Sequence, residues 1–134
     1  MRYMMLIYST EPADGLPSEE VERMWFRHRS VLDEAARKGI LISAEPLAST
    51  TTATTVRMQG GKALLTDGPF TETEQRLTGY YIIECENLDE AIDWAAKIPT
   101  ACGGEEGPIE IRPIPDVGYA AGTRRKGAGN FDIE

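Results

Sequence analysis

The chain has 134 residues, with 22 acidic and 14 basic side chains and a formal net charge of −8 at pH 7. This length fits one domain whose core needs no disulfide or metal to be stable. The acidic balance argues against a nucleic-acid partner, and no run approaches the roughly 20 apolar residues of a membrane-spanning helix.

The first third of the chain predicts a strand, a helix and a second strand. Residues 2–9 (RYMMLIYS) are apolar on both alternating faces and precede the breaker-rich EPADGLP, which is typical of a buried strand. Ser18 then suits a helix N-cap, and apolar residues recur at three- and four-residue steps until Gly39. This apolar stripe contains His28, the only histidine of the chain. Residues 40–47 (ILISAEPL) predict the second strand.

The next part predicts a hairpin, a strand, a helix and a last strand. Residues 54–58 and 63–66 flank two turn glycines, as in a hairpin. Residues 79–86 (GYYIIECE) predict a strand that is again apolar on both faces, and residues 109–114 (IEIRPI) predict the last one. Between them, Asn87 and Glu90 resemble a capping box that opens a helix ended by Pro99. We expect its Leu88, Ala91, Ile92 and Ala95 to face inward.

This order of elements predicts an α+β fold, a ferredoxin-like βαββαβ domain with an antiparallel sheet and an extra hairpin. Two helices cover one face of such a sheet, so its second apolar face needs another cover. We therefore expect a homodimer in which two sheets face each other. The domain is predicted over residues 1–115, followed by a Gly- and Ala-rich C-terminal tail over residues 116–134.

Several motifs together resemble one family. The stretch DGPF from Asp67 to Phe70, then Gly79 and Tyr80, the helix DEAIDWAAKIP and the strand IEIRPI are similar to the DGPF subgroup of the YCII-related proteins. The resemblance covers roughly residues 1–115 and implies a dimeric α/β barrel with a ferredoxin-like fold. It implies little about activity, but it implies that extracytoplasmic-function sigma factors are often encoded nearby, which suggests a regulatory partner linked to such a factor.

The resemblance also implies that His28 matches a pocket histidine of the family, which is paired there with an aspartate. Where the family often has an acidic residue after Pro46 and Leu47, this chain has Ala48. Asp67 is therefore our substitute for the missing carboxylate, because a rigid turn could hold it at a pocket mouth. His28 and Asp67 are the predicted catalytic residues, with His28 as general base or acid and Asp67 orienting it.

Structural alternatives stay open for both residues. His28 suits a core position with both ring nitrogens hydrogen-bonded. Asp67 suits a turn in which it accepts backbone amides, Gly68 supplies an unusual backbone angle, Pro69 stiffens the exit and Phe70 holds the loop against the core.

Tyr8, Phe70, Tyr80 and Arg112 are the predicted lining of a substrate pocket. Aromatic strand residues such as these tyrosines are more often packing residues, and for Arg112 an ion pair with Glu110 of the partner subunit is favoured over contact with a ligand carboxylate. The two tryptophans, Trp25 and Trp94, lie on helix faces predicted to be core.

No motif indicates a cofactor or a metal. No Gly-rich phosphate loop opens a helix, and Cys85 and Cys102 fit neither a redox pair nor a zinc site. With a poor match to a signal peptide at the N-terminus, these cysteines favour a cytoplasmic location.

Two functions remain. One is a cofactor-free acid/base enzyme acting on a small molecule near His28 and Asp67. The other is a non-catalytic binding or regulatory module associated with an extracytoplasmic-function sigma factor system.

Overall fold

A computed structural model describes residues 1–10, 18–100 and 106–117 of the chain. In chain order the elements are β1 (Arg2–Thr10), α1 (Ser18–Arg37), β2 (Leu41–Pro46), a 3-10 turn (Thr50–Thr52), β3 (Thr54–Gln59), β4 (Lys62–Asp67), β5 (Gln75–Glu84), α2 (Leu88–Ala95) and β6 (Ile109–Ile114). In the part of the chain that is described, neither α-helix is long and apolar enough to span a membrane. Cys102 and residues 118–134 of the predicted tail lie outside the described residues.

Four strands form one antiparallel sheet in the order β2-β5-β1-β6. The long first and fifth strands are apolar on both faces and therefore take the two central places, where both faces are shielded most. Strands β3 and β4 pair with each other in a separate two-stranded antiparallel sheet. The α+β class, the two α-helices and the antiparallel pairing are as predicted, and the strand order is compatible with a ferredoxin-like fold.

The core lies between one face of the four-stranded sheet and the two α-helices. Met5 of β1 and Ile83 of β5 are fully buried there, and Ala35 of α1 and Ala91 of α2 bring both helices close to the strands. Trp94 of α2 is also buried in this layer, as predicted. The opposite face of the sheet carries the alternate residues of the same strands, including Met4 and Leu6, which are half-buried.

Both α-helices end or begin with the local chemistry that their sequences suggest. Gly39 has a φ of 73° after α1. The amide of Gly39 donates to Ala36 O and that of Ile40 to Ala35 O, both at 3.0 Å, which is a Schellman motif. At the start of α2, Asn87 Oδ1 accepts from the Glu90 amide at 2.9 Å. Glu90 Oε1 accepts from the amide of Glu86, one residue before the N-cap, at 2.7 Å, so the capping box is displaced by one residue.

A β-bulge interrupts the pairing of the two central strands. Ile7 pairs with Gly79, but the next residue, Tyr8, pairs with Leu77, so Thr78 is an extra residue on β5. The carbonyl of Thr78 instead accepts from the Leu47 amide at 2.9 Å, just beyond β2. Such a bulge changes which way the side chains beside it point.

Two expectations about the helix faces are wrong. Leu88 and Ile92 of α2 are 50% and 47% exposed, because α2 presents Ala91 and Trp94 to the sheet instead. Trp25 of α1 is 46% exposed. It lies in the N-terminal half of α1, in which no residue is buried.

Candidate functional site

The N-terminal half of α1 and the sheet enclose a cavity of about 480 Å³. We call it the helix–sheet cavity. Its walls come from β1, α1, β2 and β5, from the segment after β2 and from the end of the segment after α2. A cavity of this size falls within the range of small-molecule sites. Ala35 is the only buried residue of α1, whereas Trp25, nearer its N-terminus, is half-exposed, so the cavity lies where this helix is least buried.

Most of the cavity wall is apolar, and its aliphatic and thioether side chains come from both layers. They are Ile7, Val21, Met24, Leu32, Ala44 and Leu47. Trp25 adds an aromatic ring, which lies 6.4 Å from the ring of His28 between centroids. A wall of this kind favours the burial of an apolar ligand surface.

His28 and Tyr81 form a hydrogen-bonded pair in this wall. His28 Nδ1 lies 2.6 Å from Tyr81 Oη, and the two rings are tilted by 57°. His28 reaches the cavity because it lies on the same face of α1 as Met24 and Leu32, and Tyr81 because it lies on the helix-facing side of β5 with Ile83. The pair therefore joins the helix layer to a central strand.

Burial shifts the pKa of both members of the pair. The pKa of His28 is lowered from 6.5, first by burial and second by the positive charge of Arg27. Burial raises the pKa of the Tyr81 hydroxyl well above its ordinary value. Both shifts favour the uncharged forms, so near pH 7 a neutral imidazole faces a neutral phenol.

Two arrangements of protons satisfy this hydrogen bond. In one, the Tyr81 hydroxyl donates to Nδ1, and the other ring nitrogen, Nε2, carries the imidazole proton. In the other, Nδ1–H donates to Tyr81 Oη, and Nε2 has a free lone pair. The first makes His28 a hydrogen-bond donor toward a ligand, and the second makes it a base.

Two hydroxyl groups form a second polar point of the cavity. Ser9 Oγ donates to Thr78 Oγ1 at 3.4 Å, and Thr78 Oγ1 donates to the carbonyl of Ile7 at 3.2 Å. Both side chains line the cavity, and Ser9 is only 1% exposed. Thr78 and its neighbour Gly79 both line the cavity. Neighbouring residues of a regular strand face opposite sides of the sheet, and the bulge on β5 removes this restriction.

The charge of the wall is low. Among the described residues that line the cavity, Glu45 is the only acidic one, and none is Lys or Arg. An anionic ligand would therefore lack a counter-charge, whereas an uncharged one would not need it. The described residues contain no group of three or more His, Cys, Asp and Glu side chains arranged to hold a metal ion.

Asp67 and Phe70 do not line the helix–sheet cavity of their own chain. Asp67 is the exposed last residue of β4, paired with Thr54. Gly68 has the unusual φ of 104° expected for this turn, and its amide donates to Ala53 O at 2.7 Å. Phe70 is 69% exposed and stacks under the Arg57 guanidinium at 4.8 Å, so the expectation that it holds the loop against the core is wrong. Within one chain this turn does not bring Asp67 into the cavity that His28 lines.

Tyr8, Tyr80 and Arg112 are also absent from the cavity wall. They alternate with the residues that face the α-helices, so they lie on the other face of the sheet. Arg112 Nη1 lies 3.6 Å from Glu110 Oε2 of the same strand, in an exposed ion pair within one chain. Of the six predicted site residues, the structure therefore places His28 alone in the cavity.

Ser9 and Thr78 were missed by the sequence reasoning, and Tyr81 was left out of the predicted lining, which includes Tyr80 instead. The usable signal was the parity of β5: the buried residues Tyr81 and Ile83 alternate with Tyr80 and Ile82. Because both sets are apolar, this parity does not say which set faces the helices. No sequence signal predicted the bulge that brings Thr78 to the cavity.

Comparison with known proteins identifies a family and a relative. The model of the YCII-related domain matches residues 1–117. An uncharacterized protein of Rhizobium meliloti (strain 1021) is 35% identical over 115 residues, which are 85% of this chain and 92% of that protein. Neither description names a reaction or a ligand.

Proposed function

The chain belongs to the YCII-related family, and we propose that it is a cofactor-free acid/base enzyme acting on a small uncharged molecule in the helix–sheet cavity. The observation that carries the proposal is the hydrogen bond between His28 and Tyr81 in the wall of that cavity. A half-buried histidine with an orienting partner and an adjacent ligand-sized space is the arrangement that proton transfer requires.

His28 is the proton-transferring group of the proposed site. Its lowered pKa leaves the imidazole neutral near pH 7, which is the form that accepts a proton. In the arrangement where Nδ1–H donates to Tyr81 Oη, Nε2 takes the proton from the substrate. The imidazolium that forms keeps its bond to Tyr81. Tyr81 is then a positioning residue, which replaces the carboxylate of a His-Asp pair.

The proposed reaction is the transfer of a proton between two atoms of one substrate. Removal of a proton from a carbon beside a carbonyl leaves the bonding electron pair on the substrate as an enolate, whose charge the imidazolium offsets. The return of that proton from Nε2 to a different atom completes an isomerisation. No oxidant, reductant or second substrate is needed, because His28 both takes the proton and returns it.

The substrate class follows from the wall. A mainly apolar lining with no Lys or Arg among its described residues favours an uncharged and largely apolar molecule. The exposed Glu45 carboxylate further disfavours an anion.

A homodimer and membership of the DGPF subgroup belong to the same proposal. The face of the sheet away from the α-helices carries the half-buried Met4, Leu6, Tyr80 and Ile82, and a second sheet is the simplest cover for it. Two such sheets would form the dimeric α/β barrel. Because Asp67 does not line the cavity of its own chain, an orienting role for it requires the cavity of a second copy. The cytoplasmic location is a further part of the proposal, and so is the sigma-factor-linked regulatory partner.

The experiment that tests the function is hydrogen–deuterium exchange on a library of small uncharged ketones, lactones and phenols in D2O. Proton transfer by the enzyme introduces deuterium at the acidic C–H position, which proton NMR detects even without net turnover. We expect at least one compound to exchange with the wild type and not with His28→Gln. Tyr80→Phe, on the other face of the sheet, is the control and should retain exchange.

Exchange that persists in a folded His28→Gln variant would contradict the proposal. Binding of compounds in the cavity with no exchange at any position would favour the non-catalytic binding module instead.

A further inference from the structure

The buried hydroxyl of Ser9 makes a single, long hydrogen bond in the folded chain. It is only 1% exposed, and its bond to Thr78 Oγ1 is 3.4 Å long, beyond the usual range for two hydroxyl groups. The hydrogen of Thr78 is directed to the carbonyl of Ile7. Among the described residues no group donates to Ser9 Oγ, so this oxygen can accept a hydrogen bond, and its own weak bond can be exchanged for a shorter one.

Ser9 and His28 lie toward different ends of the helix–sheet cavity. Thr78, the partner of Ser9, and Tyr81, the partner of His28, are three residues apart on β5, which is about 10 Å along a strand. Between them the wall is apolar or lacks a side chain, at Ile7, Ala44 and Gly79. Ser9 and His28 are therefore two polar points of the cavity with an apolar stretch of wall between them, and Thr10, Glu45, Ser49 and Thr100 are further polar residues of the lining.

Resting on the proposed function, we propose that the substrate is an elongated uncharged molecule with a hydrogen-bonding group at each end, and that Ser9 determines this specificity by binding the end remote from His28. A ligand with a polar group at that end would lose its hydration on entering the cavity, and the hydroxyl of Ser9 replaces the lost bond. A ligand without it would leave Ser9 with its single long bond. The selection therefore rests on one buried hydroxyl.

A matched pair of rigid probes tests this inference: biphenyl-4-ol, with one hydroxyl group, and biphenyl-4,4′-diol, with one at each end. Because the chain has a single histidine, its imidazole proton signals report occupancy of the cavity in an NMR titration. For the wild type we expect the diol to bind about tenfold more tightly than the mono-ol. In Ser9→Ala this preference should disappear while the affinity for the mono-ol stays unchanged.

Two further variants separate recognition from packing. Ser43→Ala removes a serine hydroxyl that does not line the cavity, so the preference for the diol should remain. Ser9→Cys replaces the hydroxyl with a somewhat larger thiol that forms only weak hydrogen bonds, so no space is left empty, and it should lose the preference even if the alanine variant does not fold.

Each contrary outcome has a separate meaning. Equal affinities of the wild type for both probes, or a preference that survives in Ser9→Ala, would overturn the role of Ser9 and leave the proposed function standing. Failure of both probes to shift the His28 signals, together with the absence of deuterium exchange on the compound library, would overturn the proposed function and this inference with it.

Discussion

His28 Nδ1 and Tyr81 Oη, on residues 53 positions apart in the chain, lie 2.6 Å from each other across the space between α1 and β5. The only histidine of the chain is therefore oriented by a phenol on a central strand. A phenol stays neutral over the physiological range, unlike a carboxylate, so it orients the ring without raising the pKa of His28 as an anion would.

Replacing Tyr81 with Phe removes this hydrogen bond and keeps the ring. We expect a loss of about 1 kcal/mol in the free energy of unfolding and a change in the nitrogen-15 shifts of the His28 ring as the preferred tautomer changes. Urea unfolding and nitrogen-15 NMR measure the two effects. Tyr80→Phe, on the other face of the sheet, should leave the His28 shifts unchanged. Identical shifts in Tyr81→Phe and the wild type would show that the bond does not form in solution.

Arg27 should lower the pKa of His28 through its positive charge, second in effect to burial. In Arg27→Gln we therefore expect the His28 pKa to rise toward its ordinary value of 6.5 without passing it, because burial still lowers it. An NMR pH titration of the imidazole protons measures this. Arg29→Gln removes another exposed cation of the same helix and should shift the titration less. Equal shifts in the two variants would mean that only the overall charge of α1 matters.

The pH dependence of stability follows from the sign of the His28 shift. The folded pKa lies below the unfolded value of 6.5, so the unfolded chain binds more protons as the pH falls through this window. The stability that the neutral His28 contributes to the free energy of unfolding is therefore fully present above pH 6.5. It is lost as the pH falls from 6.5 through the pKa of His28 in the folded chain. We expect the unfolding free energy to drop more between pH 7 and pH 5 in the wild type than in His28→Gln. Parallel pH profiles would contradict the lowered pKa.

Met5 and Met4 are chain neighbours on opposite faces of the sheet, so they test the assignment of the core. Met5 is fully buried under the α-helices, and Met5→Ala should cost about 2–5 kcal/mol of unfolding free energy. Met4 is half-buried on the other face, and Met4→Ala should cost less than Met5→Ala. Chemical denaturation of both variants in a Leu6→Lys background, in which no second sheet should cover Met4, measures the difference. A larger loss of unfolding free energy in Met4→Ala than in Met5→Ala would contradict the assignment of the helix-covered face of the sheet as the core.

The proposed homodimer predicts a concentration-dependent association that depends on the open sheet face. We expect sedimentation at micromolar concentrations to show a dimer of the wild type and a monomer of Leu6→Lys, because a buried charge in an apolar interface lacks a partner. Leu88→Lys is the matched control, since Leu88 is 50% exposed on α2, and it should remain dimeric. A wild-type monomer at these concentrations would contradict the proposal.

The order of the elements could be predicted because apolar periodicity and turn residues are local signals. Gly39 ends α1, and Asn87 caps α2, as their sequence positions suggest. The start of β5 could not be placed, since Gln75 and Arg76 are polar yet pair with Thr10 and Ser9 in the sheet. Long-range pairing decides this boundary, and no local pattern reports it.

The site was harder to predict than the fold. His28 was found because its residue type is chemically specific and the chain has only one. Tyr80 was preferred to Tyr81, although they differ only in the face of the sheet on which they lie, and a strand with two apolar faces leaves that choice open. The cavity itself depends on how far the first half of α1 stands from the sheet, which is a property of packing and not of the sequence pattern.

Because of the bulge at Thr78, the two ends of the cavity depend on different structural features. The His28 end depends on a contact between a helix and a strand, whereas the Ser9 end depends on one extra residue in β5. Deleting that residue would restore regular pairing and turn the neighbouring side chains without touching His28 or Tyr81. Ligand preference and proton transfer could thus diverge independently among relatives. A single insertion or deletion in this strand would change which ligand binds and leave the proton-transferring pair in place.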